Sequence, residues 1–198
     1  MARRSDHSPT ELRTLLIEAG SGLIAERGFA RFSAREAARR AGYTVGTIYH
    51  VFGGLDAYFM AINTRTYGLW AAALDDALTL CAPDADRIAV LVGAYFAFAE
   101  THPNDWQALY DFRQPSSLPL PDADVAERIK LTGIVDREVA RELDRPIDAG
   151  TRRLARSLIA TVHGHCALHL SGNFALMQEV DPLGQAIARV RESLTAAG

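Results

Sequence analysis

The chain has 198 residues, 48% of them hydrophobic, and a net charge of −3, which allows a sizeable core and excludes a generally basic nucleic-acid coat. Charge is nevertheless uneven: residues 1–50 hold eight Arg against five acidic residues, a net +3, leaving −6 for the other 148, so a polyanion would meet only this basic head. Cys81 and Cys166 stand in separate contexts, and neither a signal peptide nor an uncharged apolar run of about 18 residues is evident, so a cytoplasmic chain without a disulfide framework or membrane span is expected.

Taken in order, nearly every segment reads as helix. Ser8-Pro9-Thr10-Glu11 is a helix start, with Ser8 as N-cap, Pro9 at the first helical position and Glu11 closing a capping box. Leu12, Leu16, Ala19 and Leu23 form one apolar stripe, and Gly28 is expected to end the helix in a left-handed conformation. Ser33-Ala34-Arg35-Glu36 reads as a second capping box, opening a short helix from Ala34 to Ala41 that Gly42 stops. Thr44 then caps a third helix to about Val51. Two short helices separated by a glycine-centred turn make a helix-turn-helix.

The fourth helix is predicted over Leu55 to Leu80, with Leu55, Phe59, Ile62, Leu69, Ala73 and Ala77 on its apolar side. After Pro83, a fifth turns Ile88, Leu91, Val92, Tyr95, Phe96 and Ala99 inward. A sixth, Asn104 to Phe112, carries Trp106 and Tyr110. Pro115, Pro119 and Pro121 mark residues 113–121 as a loop, either a mobile lid or a plain connection. A seventh helix, Ala123 to Leu143, rests on Val125, Ile129, Thr132, Val135 and Val139. Asp148 caps an eighth reaching Ser171, and the last begins at Pro182. The expected fold is all-α with about nine helices: a three-helix helix-turn-helix head at 1–52, and a ligand-binding and dimerisation body at 53–198 that shares the fourth helix with it.

Function concentrates between Phe32 and Phe52. Small Ala38 and Ala41 let two helices cross closely, and Gly42 permits a turn that a β-carbon would oppose. Ile48 and Phe52, four apart, plug the head's core, and Tyr43 sits partly buried at the turn. Thr44, Val45, Thr47, Tyr49 and His50 are left on the outer part of the third helix, whose N-terminal residues a major groove would receive. Helix N-termini at Ser33 and Thr44 offer backbone N–H groups to phosphates.

The same residues resemble the signature of the tetracycline-repressor (TetR) family, whose order of small, hydroxyl and aromatic positions is matched over residues 32–59. The resemblance implies a homodimer bound to double-stranded palindromic DNA, most often a repressor, released by a small apolar or amphipathic effector and needing no cofactor. It implies that Ser33 and Tyr49 contact phosphates. Thr44, Val45, Thr47 and His50 would face bases or the adjoining backbone, and Arg35 would reach a phosphate or base. The sequence departs from the family at Leu55, where a phosphate-binding lysine is usual, at Val45, where Pro or Lys is commoner, and at Val51, where an aromatic is commoner.

In such proteins the last two long helices pair with their copies. Leu183, Ile187, Val190 and Leu194 form a narrow stripe suited to that role. The eighth helix, apolar on more than one side, is expected to present Leu158 to the interface. Body aromatics suit an apolar cavity, with Tyr95, Trp106, Tyr110 and His163 as candidate ligand contacts. In the run His163 to His169, His165, Cys166 and His169 have a spacing that zinc accepts, but no carboxylate or second Cys is fixed nearby in sequence, so plain packing or a pocket or interface hydrogen-bonding role is expected ahead of a metal; no metal is assigned. No nucleophile elbow, phosphate loop or dinucleotide glycine pattern is present, so no enzyme is expected. Two other readings stay open: a DNA-binding protein of this fold without a small-molecule inducer, and a metal-binding helical protein.

Overall fold

Side-chain caps decide where most helices begin. In the computed structural model, which describes residues 7–115 and 119–198, α1 (Pro9–Arg27) opens on the complete capping box: the Ser8 amide donates to Glu11 Oε2 at 2.7 Å and the Glu11 amide donates back to Ser8 Oγ at 3.3 Å. A 3₁₀ turn (Phe29–Arg31) leads to α2 (Ala34–Arg40) and α3 (Val45–Phe52), and these are followed by the long α4 (Leu55–Leu80). Then come α5 (Arg87–Thr101), α6 (Pro103–Asp111), α7 (Asp122–Glu142), α8 (Ala149–Leu170), α9 (Asn173–Leu176) and α10 (Pro182–Ala197). Asp86, Asp148 and Asp181 accept from the third amide of α5, α8 and α10 at 3.1, 2.8 and 2.9 Å. No strand occurs among the described residues, and no helix there is long and apolar enough to cross a membrane. The single-turn α9 is the one helix beyond the nine expected; four residues are too few to show periodicity.

Two local expectations need correction. Gly28 has positive φ (74°), but its ψ of 165° is extended and not left-handed helical, a region open essentially to glycine alone. The second capping box is half formed: Ser33 Oγ accepts from the Glu36 amide at 3.3 Å. The Glu36 carboxylate is instead taken by Arg39 and Arg40, at 2.8 and 3.2 Å, two cations that attract it more than a single neutral amide does.

Packing divides the chain into two units. The first takes the chain up to Thr66 together with Asn104–Val125; the second takes Tyr67–Pro103 and Ala126–Gly198. The packing boundary thus falls inside α4, between 66 and 67, where the functional division had been drawn at 52/53. The reason is that Tyr58 and Ile62, 0% and 1% exposed, complete the core of the three-helix head, and α6 adds Ala108.

In the first unit, Leu16, Leu23, Ile24, Ala37, Ala38 and Ile48 form an apolar centre. The Tyr58 hydroxyl, buried among them, donates to the Leu16 carbonyl at 2.6 Å. Phe29, Phe32 and Phe59 meet edge to face, with centroids 4.8–5.0 Å apart. Asn104 ties α6 to α1 through the Ala25 carbonyl at 2.7 Å. Asp124, wholly buried, accepts from Thr64 Oγ1 at 3.0 Å.

In the second unit, the predicted inner face of α5 is buried throughout, and Trp70 lies flat on Phe98, with centroids 5.4 Å apart. The Arg87 guanidinium grips the Glu138 carboxylate at 2.7 and 2.8 Å and also donates to the Leu78 carbonyl at 3.0 Å, pinning the end of α4, the start of α5 and α7 together. Several stripe positions differ from expectation. On α4, Leu69 is 41% exposed, while Trp70, Leu74 and Leu78 face inward, one residue further on. On α7, Val125 and Ile129 are exposed and Ile134 and Val139 are buried. On α4 the change falls near residues 66 and 67, where the helix passes from the first unit to the second, so no single stripe runs its length.

Part of the α10 stripe packs within its own chain. Leu158, Val190 and Leu194 are 4%, 3% and 4% exposed, because α10 packs against α8 and α5 of its own subunit. Leu183 and Ile187 remain half-buried.

Candidate nucleic-acid interface

The turn between α2 and α3 is set by hydrogen bonding. The Tyr43 amide donates to the Ala38 carbonyl at 2.8 Å and the Gly42 amide to the Arg39 carbonyl at 3.0 Å. This is the Schellman pairing that closes a helix C-terminus, and it requires the positive φ of Gly42, 82°, which a side chain would oppose. Tyr43 is further held by His7, whose Nδ1 lies 2.9 Å from the tyrosyl oxygen.

Helix α3 is anchored by its inner face alone. Ile48 is completely buried, Val51 and Phe52 are half-buried, and the Arg13 guanidinium lies 4.5 Å above the Phe52 ring. On the other side Thr44, Tyr49 and His50 are exposed, Tyr49 by 49%, while Val45 and Thr47 are half-buried. Thr44 occupies the N-cap position, yet its side chain makes no capping bond. Ser33 does cap α2, but a hydroxyl that accepts still has its proton to give. Arg35 is exposed. Arg39 and Arg40 are instead engaged within the head: Arg40 reaches Glu26 at 2.6 and 2.8 Å, and the two guanidiniums hold the Glu36 carboxyl down at about 2.

Sequence reasoning missed one feature of this face. A groove of about 490 Å³ runs beside α3, lined by His7, Pro9, Thr10, Leu12, Arg13, His50 and Val51. Nothing in the spacing of His7 or Arg13 relates them to His50; the approach of α1 to α3 does.

The four candidate ligand contacts fall two and two. Trp106, 1% exposed, and Tyr110, 44% exposed, are neighbours in the first unit, with centroids 5.1 Å apart. Tyr95 and His163 are neighbours in the second, the tyrosyl oxygen 3.1 Å from His163 Nδ1. Burial lowers the His163 pKa. The second unit contains an apolar cavity of about 40 Å³, lined by Leu74, Ile88, Leu91, Val92, Tyr95, Val135, Val139, Leu158, Ile159, Val162 and Val190. Tyr95 alone of the four candidates lines it. The lid proposed over 113–121 includes residues 116–118, which lie outside the described residues.

The histidine run disperses. The His165 Nδ1 lies 2.9 Å from the Thr161 carbonyl and the His169 Nε2 lies 2.9 Å from Glu100. Cys166 is wholly buried, and burial pushes its thiol up to about 12. Among the described residues no three His, Cys, Asp or Glu side chains are grouped to hold a metal ion.

A helix-turn-helix carried by an all-helical body is the architecture of a DNA-binding transcriptional regulator. Residues 16–61 match the profile of the bacterial regulatory proteins of the tetR family, and residues 88–190 match that of the tetracyclin repressor-like C-terminal domain. The chain belongs to the TetR family of transcriptional regulators. No curated protein matches it in sequence. Among solved structures it is similar to a protein of unknown function from Rhodococcus sp. RHA1, at TM-score 0.74 and 21% identity, covering 99% of this chain and 98% of the other. A TetR-family transcriptional regulator from Streptomyces coelicolor is similar at TM-score 0.65 and 20% identity, covering 94% and 99%. The regulator FadR from Bacillus subtilis, in complex with stearoyl-CoA, is similar at TM-score 0.64 and 16% identity, covering 91% and 97%.

Proposed function

We propose that the chain is a homodimeric repressor that binds a palindromic operator and is released by a small apolar or amphipathic effector bound in the second unit. One observation carries the DNA-reading half of this proposal: α3 is held from behind by Ile48, at 0% exposure, while Thr44, Tyr49 and His50 stand outward. In this reading Thr44, Val45, Thr47 and His50 meet base edges or the adjoining backbone. Tyr49 and Ser33 meet phosphates through their hydroxyls, and Arg35 adds a charge-assisted contact. Leu55 leaves one phosphate per subunit without the lysine usual in the family.

Support for a second copy comes from apolar surface. Leu176, Met177 and Val180 are 84%, 66% and 93% exposed, just beyond α8, and clustered exposure of this kind marks an interaction surface. With Leu158, Val190 and Leu194 committed to the subunit's own core, the partner would be met by this segment and the half-buried Leu183 and Ile187. Two copies would set their α3 helices about 34–36 Å apart, one turn of DNA. The likeness to FadR, which is in complex with stearoyl-CoA, supports a ligand with an apolar part.

Selection of binding sites from random DNA with the intact protein tests this proposal. A two-fold symmetric motif with half-sites one turn apart is expected. Tyr49→Ala is expected to weaken binding about tenfold, ~1.4 kcal/mol, with the dimer unchanged in sedimentation. Selection that enriches no sequence, or a dimeric Tyr49→Ala variant of full affinity, would overturn the assignment.

A further inference from the structure

The cavity of the second unit differs from an ordinary ligand pocket in two ways. Apart from Tyr95, every lining side chain is aliphatic, and no charged group faces it. The Tyr95 hydroxyl is itself engaged by His163 at 3.1 Å. An ionised ligand would be stripped of water here with no counter-charge, which proteins do not tolerate without pairing. The volume is also small, about 40 Å³. That exceeds the ~10–15 Å³ one water needs, yet apolar walls keep such a space dry, and ligand pockets usually start at ~300 Å³.

Its walls are unequal. Helices α5, α8 and α10 approach one another closely along their backbones, whereas α4 and α7, which supply Leu74, Val135 and Val139, make no comparably close approach to any of them. Resting on the effector-controlled function proposed above, we propose that this cavity is the effector site, that it accepts a compact uncharged apolar molecule, and that it does so by yielding at the wall formed by α4 and α7. A ligand larger than the resting cavity binds the widened state in preference to the closed one, and that difference in affinity is what shifts a conformational equilibrium.

Toluene, benzoate and benzylammonium, similar in size and different in charge, are the probes. Each is titrated into the full chain carrying Trp106→Phe, without DNA. Emission then comes from Trp70, whose ring centroid is 4.7 Å from that of Tyr95, and calorimetry gives the affinity. Toluene is expected to bind and to change the Trp70 emission, with both ions at least a hundredfold weaker. Val162→Phe, which fills the cavity, is expected to abolish the response, and Val139→Ala, which enlarges it, to tighten toluene binding severalfold. Equal binding of either ion, no toluene response, or a response unchanged in folded Val162→Phe and in Val139→Ala overturns the proposal. Operator binding is measured in separate samples: toluene that binds as described and leaves the operator complex intact supports the cavity's chemistry and counts against the release mechanism alone.

Discussion

The two packing units bury their amphipathic helices in opposite ways. The first interlocks rings and small residues: Tyr58 threads to the Leu16 carbonyl, three phenylalanines meet edge to face, and Gly20 leaves room for the tyrosine. The second wraps aliphatic side chains around a gap and is fastened at its edge by ion pairs, among them the partly buried one between Arg87 and Glu138. A reading head must hold α3 in one orientation, so slack there is harmful. If the body senses an effector, as proposed, it must have two arrangements of similar free energy, so slack there is useful, provided something else prevents collapse.

The largest effect expected from breaking this contrast is at the fastening of the second unit. Glu138 is buried, and its two oxygens are both held by Arg87. Removing Arg87 alone strands a buried carboxylate, which costs about 3 kcal/mol. The double variant Arg87→Met, Glu138→Leu removes both charges and should recover most of that loss. Urea unfolding of the single and double variants checks both; a single variant as stable as the parent would show that the pair fastens nothing.

Next in size is a pair of glycines two residues apart on α1. A β-carbon at Gly20 would meet the Tyr58 hydroxyl and come within 2.6 Å of Ile62 Cδ1; at Gly22 it would meet nothing within 4 Å. Gly20→Ala should therefore cost about 2 kcal/mol through overpacking, offset in part by the helix propensity of Ala. Gly22→Ala should instead stabilise by about 0.5–1 kcal/mol. Thermal unfolding of the two variants must shift in opposite directions if the first unit is packed as tightly as described.

A smaller effect belongs to the caps. Ser33→Ala removes the oxygen that accepts the Glu36 amide and should cost about 1 kcal/mol. If Ser33 also donates to a phosphate, operator affinity falls by more than the protein's stability does, whereas Asp148→Ala, which uncaps α8, lowers stability alone.

The head was readable in the sequence because its information is contiguous: cap, crossing alanines, Gly42 and the Ile48–Phe52 spacing lie within 21 residues of one another. The body was readable only as helices. Which side of each helix turns inward depends on neighbours far along the chain, and a helix with two apolar sides does not say which one meets a second subunit. Leu158, Val190 and Leu194 have the spacing of an intersubunit seam and the burial of an internal one. Val125 and Ile129 belong to a regular stripe in the sequence, yet both stand exposed while Ile134 and Val139 turn inward. Glu138 lies inward because Arg87, 51 positions away, pairs with it. Tyr95 and Trp106, similar as sequence candidates, part company because α6 joins the first unit.

The smallest expected effect is one of pH, and it tests how the Tyr95–His163 pair is held. Burial lowers the His163 pKa below its ordinary value, ~6.5 in an unfolded chain. The unfolded chain therefore takes up this proton at a higher pH than the folded one. Its contribution to stability is fully present above about pH 6.5 and is lost as pH falls from there through the folded value. Protonation also leaves Nδ1 a donor only, so the tyrosyl oxygen 3.1 Å away can then act only as acceptor. Urea midpoints of the parent and His163→Gln, compared at about pH 7.5 and about pH 5.5, isolate the imidazole from the carboxylates that titrate in both. The parent should lose more stability between the two conditions. Equal losses would mean that the imidazole is as easily charged in the fold as outside it, and that the wall of the second unit behind Tyr95 is open to water.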